Sequence, residues 1–144
     1  MKNILVICYL FFTAALFAQE WQPSYAEALV VSKEQHKPIL LVFAGSDWCA
    51  PCIKLDKDIW QSDVFRTYAK ENYVLYKADF PRKKANRLPE AVAEQNNALA
   101  EKYNPNGHFP LVLLLDSNEN VLGETGYLNR TPQAYITHLN SFVK

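Results

Sequence analysis

Short apolar runs and longer amphipathic stretches take turns along most of this chain. Residues 39–44 form a continuous apolar run between Pro38 and Gly45, which is typical of a central strand covered on both faces. Segments with apolar positions three or four residues apart predict helices, and clusters of turn residues separate them from the strands. The predicted helices are 24–36, 51–68, 89–103 and 131–143, and the predicted strands are 39–44, 72–80, 111–115 and 121–127.

Several of these helices begin with residues that favour a helix start. Ser24 followed by Glu27 is a capping-box pattern. The pair 62–63, Ser-Asp, is able to cap a new helix and would then break the long segment 51–68 in two. Pro89 suits the first turn of its helix. Thr131 caps the last helix with Pro132 at its first position, and one apolar face is predicted from Tyr135, Ile136, Leu139, Phe142 and Val143.

The order of elements predicts an α/β fold. Strands that are separated by helices are expected to pair in parallel through right-handed crossovers, which would make the first three strands parallel. The close spacing of the last two strands predicts an antiparallel hairpin at one edge. The expected product is a central four-stranded mixed sheet with helices on both faces, formed by a single domain over residues 19–144.

Composition narrows the class of protein without naming its chemistry. Hydrophobic residues make up 49% of the 144 residues, which is enough for a packed core. The formal net charge is zero, and no extended basic stripe indicates nucleic acid as a partner. One segment, residues 80–88, is locally basic through Arg82, Lys83, Lys84 and Arg87. We interpret it as a solvated loop, with a patch for an anionic partner as the alternative.

The first residues are typical of a secretory signal peptide. Lys2 precedes an apolar stretch over 4–18, which is too short to span a membrane comfortably. Cleavage is expected near Ala18, although Leu16 is not the small residue that such sites prefer, and an uncleaved membrane anchor is the alternative. We therefore predict a cleaved signal over 1–18, a periplasmic or secreted protein, and no membrane span afterwards. Cys8 would be lost with the signal.

The remaining two cysteines carry the chemistry. Cys49 and Cys52 lie two residues apart where the predicted strand 39–44 gives way to a helix. Cys49 would lie at the start of that helix, where unpaired N–H groups and the positive end of the helix dipole favour its thiolate, which is the reactive form. A redox pair is the favoured interpretation. A structural bridge, or a metal site completed by the histidines at 36, 108 and 138, are the alternatives.

A family resemblance rests on these residues and on two further motifs. Residues 48–52, Trp-Cys-Ala-Pro-Cys, with Phe109–Pro110 at the start of a strand some sixty residues later, resemble the thioredoxin superfamily. Residues 45–49, 54–56 and 79–82 resemble exported thioredoxin-like proteins related to the C-terminal domain of the bacterial disulfide reductase DsbD. The resemblance covers residues 24–144.

The resemblance implies a thiol–disulfide oxidoreductase without a bound cofactor or metal. Cys49 would be an exposed nucleophile that forms a mixed disulfide with a protein substrate. Cys52 would then attack Cys49 and release the reduced substrate. Protein disulfides are the implied substrates, and a membrane thiol–disulfide carrier is the implied electron donor.

The same resemblance assigns four supporting residues. Pro110 matches the family's cis-proline, which would set Phe109 beside the two sulfurs. Trp48 would form one wall of the substrate surface. Pro51 would stand at the helix start, where its missing N–H leaves no partner unpaired.

One position departs from the family pattern. Many thioredoxins carry a buried aspartate six residues before the first cysteine, and Phe43 stands there in this chain. Asp47, Asp79 or water would have to accept the proton of Cys52.

The two residues between the cysteines bear on the direction of electron transfer. The Ala-Pro dipeptide between the cysteines resembles the reductases of the family, and proline offers no side-chain donor to stabilise the thiolate. We therefore expect a reductase. A copper or zinc carrier that uses the same cysteines, and a protein that holds unfolded clients at the Trp48–Phe109 surface, are the rival hypotheses.

Overall fold

A computed structural model describes residues 21–143 of the chain. The predicted signal peptide over 1–18 and Cys8 lie outside these residues. The helices are α1 (Tyr25–Gln35), α2 (Ala50–Leu55), α3 (Asp63–Asn72), α4 (Glu90–Tyr103) and α5 (Pro132–Asn140). The strands are β1 (Ile39–Ala44), β2 (Val74–Asp79), β3 (Leu111–Leu115) and β4 (Val121–Thr125).

The long helical segment is broken at the predicted place. A π-helical stretch, Asp56–Trp60, follows α2, and α3 starts afresh with Ser62 as its N-cap. The Ser62 hydroxyl accepts a hydrogen bond from the N–H of Phe65 at 3.2 Å and donates to the carbonyl of Ile59 at 2.7 Å. This double use of one hydroxyl ends one helix and begins the next.

The other helix ends agree with the sequence pattern apart from two details. Ser24 caps α1 by accepting from the N–H of Glu27, and Thr131 caps α5 in the same way. Pro89 is the N-cap of α4 and not a residue of its first turn. The last helix ends at Asn140, so Val143 leaves the predicted apolar face and is 51% exposed.

The sheet has the order β2-β1-β3-β4, with β1 and β3 inside. Strand β1 is parallel to β2 and antiparallel to β3, and β3 is antiparallel to β4. The fold class and the β3–β4 hairpin are confirmed, but the predicted parallel direction of β3 is wrong. The apolar pattern predicts where a strand lies in the sequence. It does not predict the end of the sheet at which that strand begins, which sets its direction. Strand β3 begins at the end at which β2 finished, since Phe43 is opposite both Ala78 and Leu111.

Alternate residues of β1 pack into two separate cores on opposite faces of the sheet. Leu40 and Val42 belong to a cluster with α2, α3 and α5, while Leu41 and Phe43 belong to a cluster with α1 and α4. All six residues of β1 are buried, as expected for a strand covered on both faces. Between residues 21 and 143, none of the helices has the length and apolar sequence needed to cross a bilayer.

Candidate active site

The two cysteines form a disulfide at the start of α2. Their sulfurs are 2.11 Å apart, and Cys49 is the N-cap of the helix. The Cys49 Sγ accepts a hydrogen bond from the N–H of Cys52 at 3.3 Å. The carbonyl of Gly45 accepts from the N–H groups of Trp48 and Cys49, at 3.2 and 2.9 Å, which closes the turn between β1 and α2. The same N–H group that reaches Sγ would stabilise a Cys49 thiolate.

Both cysteines are buried, although the family resemblance implied an exposed Cys49. Cys49 is 5% exposed and Cys52 is 4% exposed. The expectation of an exposed Cys49 is therefore wrong for the disulfide-bonded state. The reason is that Cys49 belongs to an apolar cluster against which the partly buried rings of Trp48 and Phe109 pack. A partner must reach Cys49 through the small part of its surface that stays open.

The Phe109–Pro110 segment lies beside the disulfide. The peptide bond between these two residues is cis, as the family resemblance implied. The Phe109 ring meets the Trp48 ring edge to face, with centroids 5.4 Å apart. Pro110 and Cys52 line the same cavity. These residues are brought together because β1 ends and β3 begins at the same end of the sheet.

The Trp48 indole is held on several sides. Its Nε1–H donates to the carbonyl of Phe80 at 2.7 Å, and the guanidinium carbon of Arg82 lies 3.8 Å from the ring centroid. Gly45 lets the indole come close, since a Cβ built there would lie 2.2 Å from Cε2 of Trp48. Neither Gly45 nor Arg82 was predicted from the sequence to contribute to the position of Trp48. These contacts hold the Trp48 indole in one position next to Cys49.

Asp47 and Asp79 hold loops in place. Asp47 accepts hydrogen bonds from the N–H groups of Arg82 and Lys83, at 2.9 and 3.0 Å. The bond from Arg82 is the main cause of a pKa of Asp47 below its usual 3.8. Asp79 accepts from the N–H and the hydroxyl of Ser46, at 2.9 and 2.5 Å. The hydrogen bonds of both carboxylates are thus made to loops on the rim of the site.

A different carboxylate shares a cavity with Cys52. The cavity has a volume of about 380 Å³, and its lining includes Val42, Cys52, Asp56 and Lys77. Lys77 Nζ lies 2.7 Å from Asp56 Oδ1, and both side chains are about 30% exposed (28% and 31%). Asp56 was not predicted as a partner of Cys52, although its place four residues after Cys52 puts it on the same helix face.

The position six residues before Cys49 plays no part in this cavity. Phe43 packs into the cluster on the opposite face of the sheet from Cys52. Its neighbour Val42 is the residue of β1 that lines the cavity. Since both residues are apolar, β1 brings no acid to Cys52 from either position.

The remaining predicted residues take simple positions. Pro51 lies in the first turn of α2, where its missing N–H leaves no intrahelical bond unmade. His108 is exposed, and its backbone is held by the side-chain amide of Asn104 through two hydrogen bonds of 2.8 Å. Over residues 21–143, no group of three His, Cys, Asp or Glu side chains is placed to hold a metal ion.

Comparisons with known proteins assign the chain to a family. The sequence model of a family described as thioredoxin-like matches residues 20–117, more than half of the chain. The chain belongs to the thioredoxin-like family. A curated relative, the disulfide bond reductase DsbH of Chlamydia pneumoniae, is 38% identical over 125 residues. That match covers 87% of this chain and 73% of the relative.

Solved structures of the thioredoxin-like family agree with this assignment. The structure of a DsbH oxidoreductase is 34% identical with a TM-score of 0.81, and the match covers 99% of this chain and 94% of that one. The reduced C-terminal domain of DsbD from Neisseria meningitidis has a TM-score of 0.56 over 81% of this chain and 91% of that one. At 20% identity, it confirms the fold resemblance alone. With its bonded Cys49–Cys52 pair, this family member is a thiol–disulfide oxidoreductase.

Proposed function

We propose that the protein is an exported reductase of protein disulfides. The observation that carries the proposal is the Cys49–Cys52 pair at the start of a helix, with Trp48, Phe109 and Pro110 around it. The direction is supported by the relative that is named a disulfide bond reductase. The Ala-Pro dipeptide supports it too, because neither side chain donates a hydrogen bond to the Cys49 thiolate.

The reaction proceeds by two thiol–disulfide exchanges. The Cys49 thiolate attacks one sulfur of a substrate disulfide, which breaks that bond and forms a mixed disulfide. The Cys52 thiolate then attacks Cys49 Sγ, which forms the Cys49–Cys52 bond and frees the substrate as a dithiol. Phe109, Pro110 and Trp48 border the approach to Cys49, and Pro51 starts the helix that carries Cys52.

Cys52 must lose a proton before it attacks, and we propose Asp56 as the acceptor. Asp56 lines the same cavity as Cys52, and its two oxygens accept hydrogen bonds from Lys77 and from the side-chain amide of Gln61. Asp56→Asn is therefore expected to lengthen the lifetime of the mixed disulfide about tenfold or more. Asp58→Asn is the matched control, since Asp58 pairs with Lys54 on the exposed side of the helix. Equal lifetimes in the two variants would rule out this role for Asp56.

Turnover requires electrons from outside the protein. Each reduced substrate leaves Cys49 and Cys52 as a disulfide, and a dithiol partner must reduce it again. We expect a membrane thiol–disulfide carrier to pass these electrons from the cytosol, where thiols are kept reduced, into the oxidising compartment. If the signal is removed on export, cleavage is expected near Ala18. Mass spectrometry of the protein recovered from the cell envelope is expected to show an N-terminus near Gln19.

The reduction potential is the decisive test of direction. Equilibration with glutathione buffers is expected to give a value near that of thioredoxin, about −270 mV. A value near −120 mV, typical of a strong oxidant, would overturn the reductase proposal. Cys52→Ser is expected to trap substrates as mixed disulfides through Cys49, and the Cys49→Ser control is expected to trap none.

A further inference from the structure

Residues 82–87, here called the basic segment, are fastened to the active-site turn by Asp47. One oxygen of Asp47 accepts from the N–H of Arg82 at 2.9 Å. The other oxygen accepts from the N–H of Lys83 and from the side-chain amide of Asn86, both at 3.0 Å. Because two of the three donors are backbone groups, the carboxylate fixes the path of the segment and leaves its side chains free to point elsewhere.

A second contact holds the basic segment at the disulfide. The guanidinium of Arg82 lies over the Trp48 ring, with its carbon 3.8 Å from the centroid. Trp48 directly precedes Cys49, and its own indole N–H is bound to the carbonyl of Phe80, just before the segment. The segment is thus tied to the residues on the N-terminal side of Cys49 by the hydrogen bonds to Asp47 and by the stack of Arg82 on Trp48.

The basic segment brings an excess of positive charge to this rim. Its four cations are exposed, and none of them takes part in a salt bridge within the described residues: Arg82, Lys83, Lys84 and Arg87. Asp47 lies in the active-site turn and Asp79 is bound to that turn, so the four cations of the segment outnumber these two carboxylates two to one. A fixed local excess of one sign attracts groups of the other sign and raises their rate of encounter.

We propose that the basic segment selects protein disulfides that are flanked by acidic residues. A disulfide that reaches Cys49 past Trp48 must carry its flanking residues close to the segment. Carboxylates at those positions meet cations that take part in no described salt bridge, whereas lysines there meet like charge. This inference rests on the proposed reductase function, because it assumes that the reduced protein attacks a substrate disulfide.

Peptide substrates test the preference directly. Three cyclic peptides share one disulfide ring and carry two Glu, two Gln or two Lys on each side. The reduced protein is mixed with each peptide, so that the peptide S–S bond breaks, the Cys49–Cys52 bond forms, and the peptide gains two electrons and two protons. Acid-quenched samples are separated by chromatography. Each rate is divided by the rate with dithiothreitol, which removes differences in the intrinsic reactivity of the peptides.

The variants change charge at the basic segment or far from it. Lys83→Glu with Lys84→Glu reverses two charges of the segment. Lys33→Glu with Lys37→Glu makes the same charge change near the start of β1, at the opposite end of the strand from the disulfide. Replacing Lys83 and Lys84 by Arg is the conservative pair and is expected to keep the preference.

The normalised rate of the wild type is expected to be about tenfold higher for the Glu peptide than for the Gln peptide at low salt. Near 1 M salt, where the screening length is about 3 Å, the ratio is expected to fall to about twofold or less. The reversed segment is expected to lose the preference and the remote control to keep it. Equal wild-type rates for all three peptides, or an equal loss in both reversed pairs, would overturn the inference.

The neutral peptide separates this inference from the proposed function. Reduction of the Gln peptide with no charge preference would leave the reductase standing and remove the acidic selectivity alone. If the reduced protein acts on none of the peptides that thioredoxin reduces, the proposed function is wrong and the selectivity falls with it.

Discussion

Replacing Gly45 by alanine tests whether the Trp48 wall depends on the absence of a side chain. The added Cβ would lie 2.2 Å from Cε2 and 2.5 Å from Cζ2 of the indole, which no packed structure tolerates. The indole therefore has to move. Its contacts with three neighbours would weaken together: the hydrogen bond to Phe80, the edge-to-face pair with Phe109 and the stack under Arg82.

The expected loss of stability follows from these contacts. A hydrogen bond contributes about 0.5–1.5 kcal/mol, an aromatic pair a similar amount, and an exposed cation over a ring about 0.5–1 kcal/mol. Replacing glycine by alanine also stabilises the folded protein by about 0.4–1 kcal/mol, because it lowers the conformational entropy of the unfolded chain. The free energy of unfolding of the oxidised protein is therefore expected to fall by about 2 kcal/mol, which lowers the urea midpoint by roughly 1 M.

Urea unfolding of a double-mutant cycle isolates the cause. In a Trp48→Ala background the clash is absent, so Gly45→Ala is expected to be neutral or slightly stabilising there. In the single variant, the indole N–H signal of Trp48 is expected to shift as its bond to Phe80 is lost. A cost of 2 kcal/mol that persists without the indole would refute the reasoning, since the backbone and not Trp48 would then require glycine.

Two further predictions concern buried and exposed polar groups. Asn96→Ala is expected to cost about 1–2 kcal/mol in urea unfolding, because buried Asn96 accepts from the Tyr76 hydroxyl at 2.5 Å and donates to a backbone carbonyl at 3.1 Å. The exposed Asn97→Ala control is expected to change stability little, and similar losses in both would contradict this. The pKa of Asp47 is lowered from 3.8, mainly by the Arg82 N–H. The stability that the Asp47 carboxylate contributes is therefore complete above its pKa in the unfolded chain, and it is lost as the pH falls through its pKa in the folded protein. The amide signal of Arg82 is expected to titrate with a midpoint below 3.8 and to stay constant in Asp47→Asn; a midpoint above 3.8 would contradict the clamp.

Local chemistry in the sequence was sufficient for the elements and for the redox pair. Ser62 was identified as a helix start because a serine hydroxyl readily accepts a hydrogen bond from a backbone N–H group a few residues further on. Cys49 and Cys52 were identified because two thiols one helical turn apart are able to bond directly. Asp56 could have been found by the same reasoning, since four residues along a helix is also a local relation.

The contacts across the sheet were beyond a local pattern. The sequence predicted a parallel β3, which would have placed Pro110 at the far end of β1 from Cys52, although the family resemblance placed the two side by side. The antiparallel pairing of β3 with β1 resolves that conflict. Equally, no periodicity announces that Gly45 makes room for an indole or that Arg82 covers it.

The division has a physical basis. Helix caps, strand runs and the spacing of two thiols depend on groups a few residues apart, so the sequence by itself determined them. The direction of β3, the burial of Cys49, the Asp56–Lys77 pair beside Cys52 and the clamp of Asp47 depend on segments tens of residues apart. Only the tertiary structure decided these, because such contacts form when the two cores pack against the shared central strand.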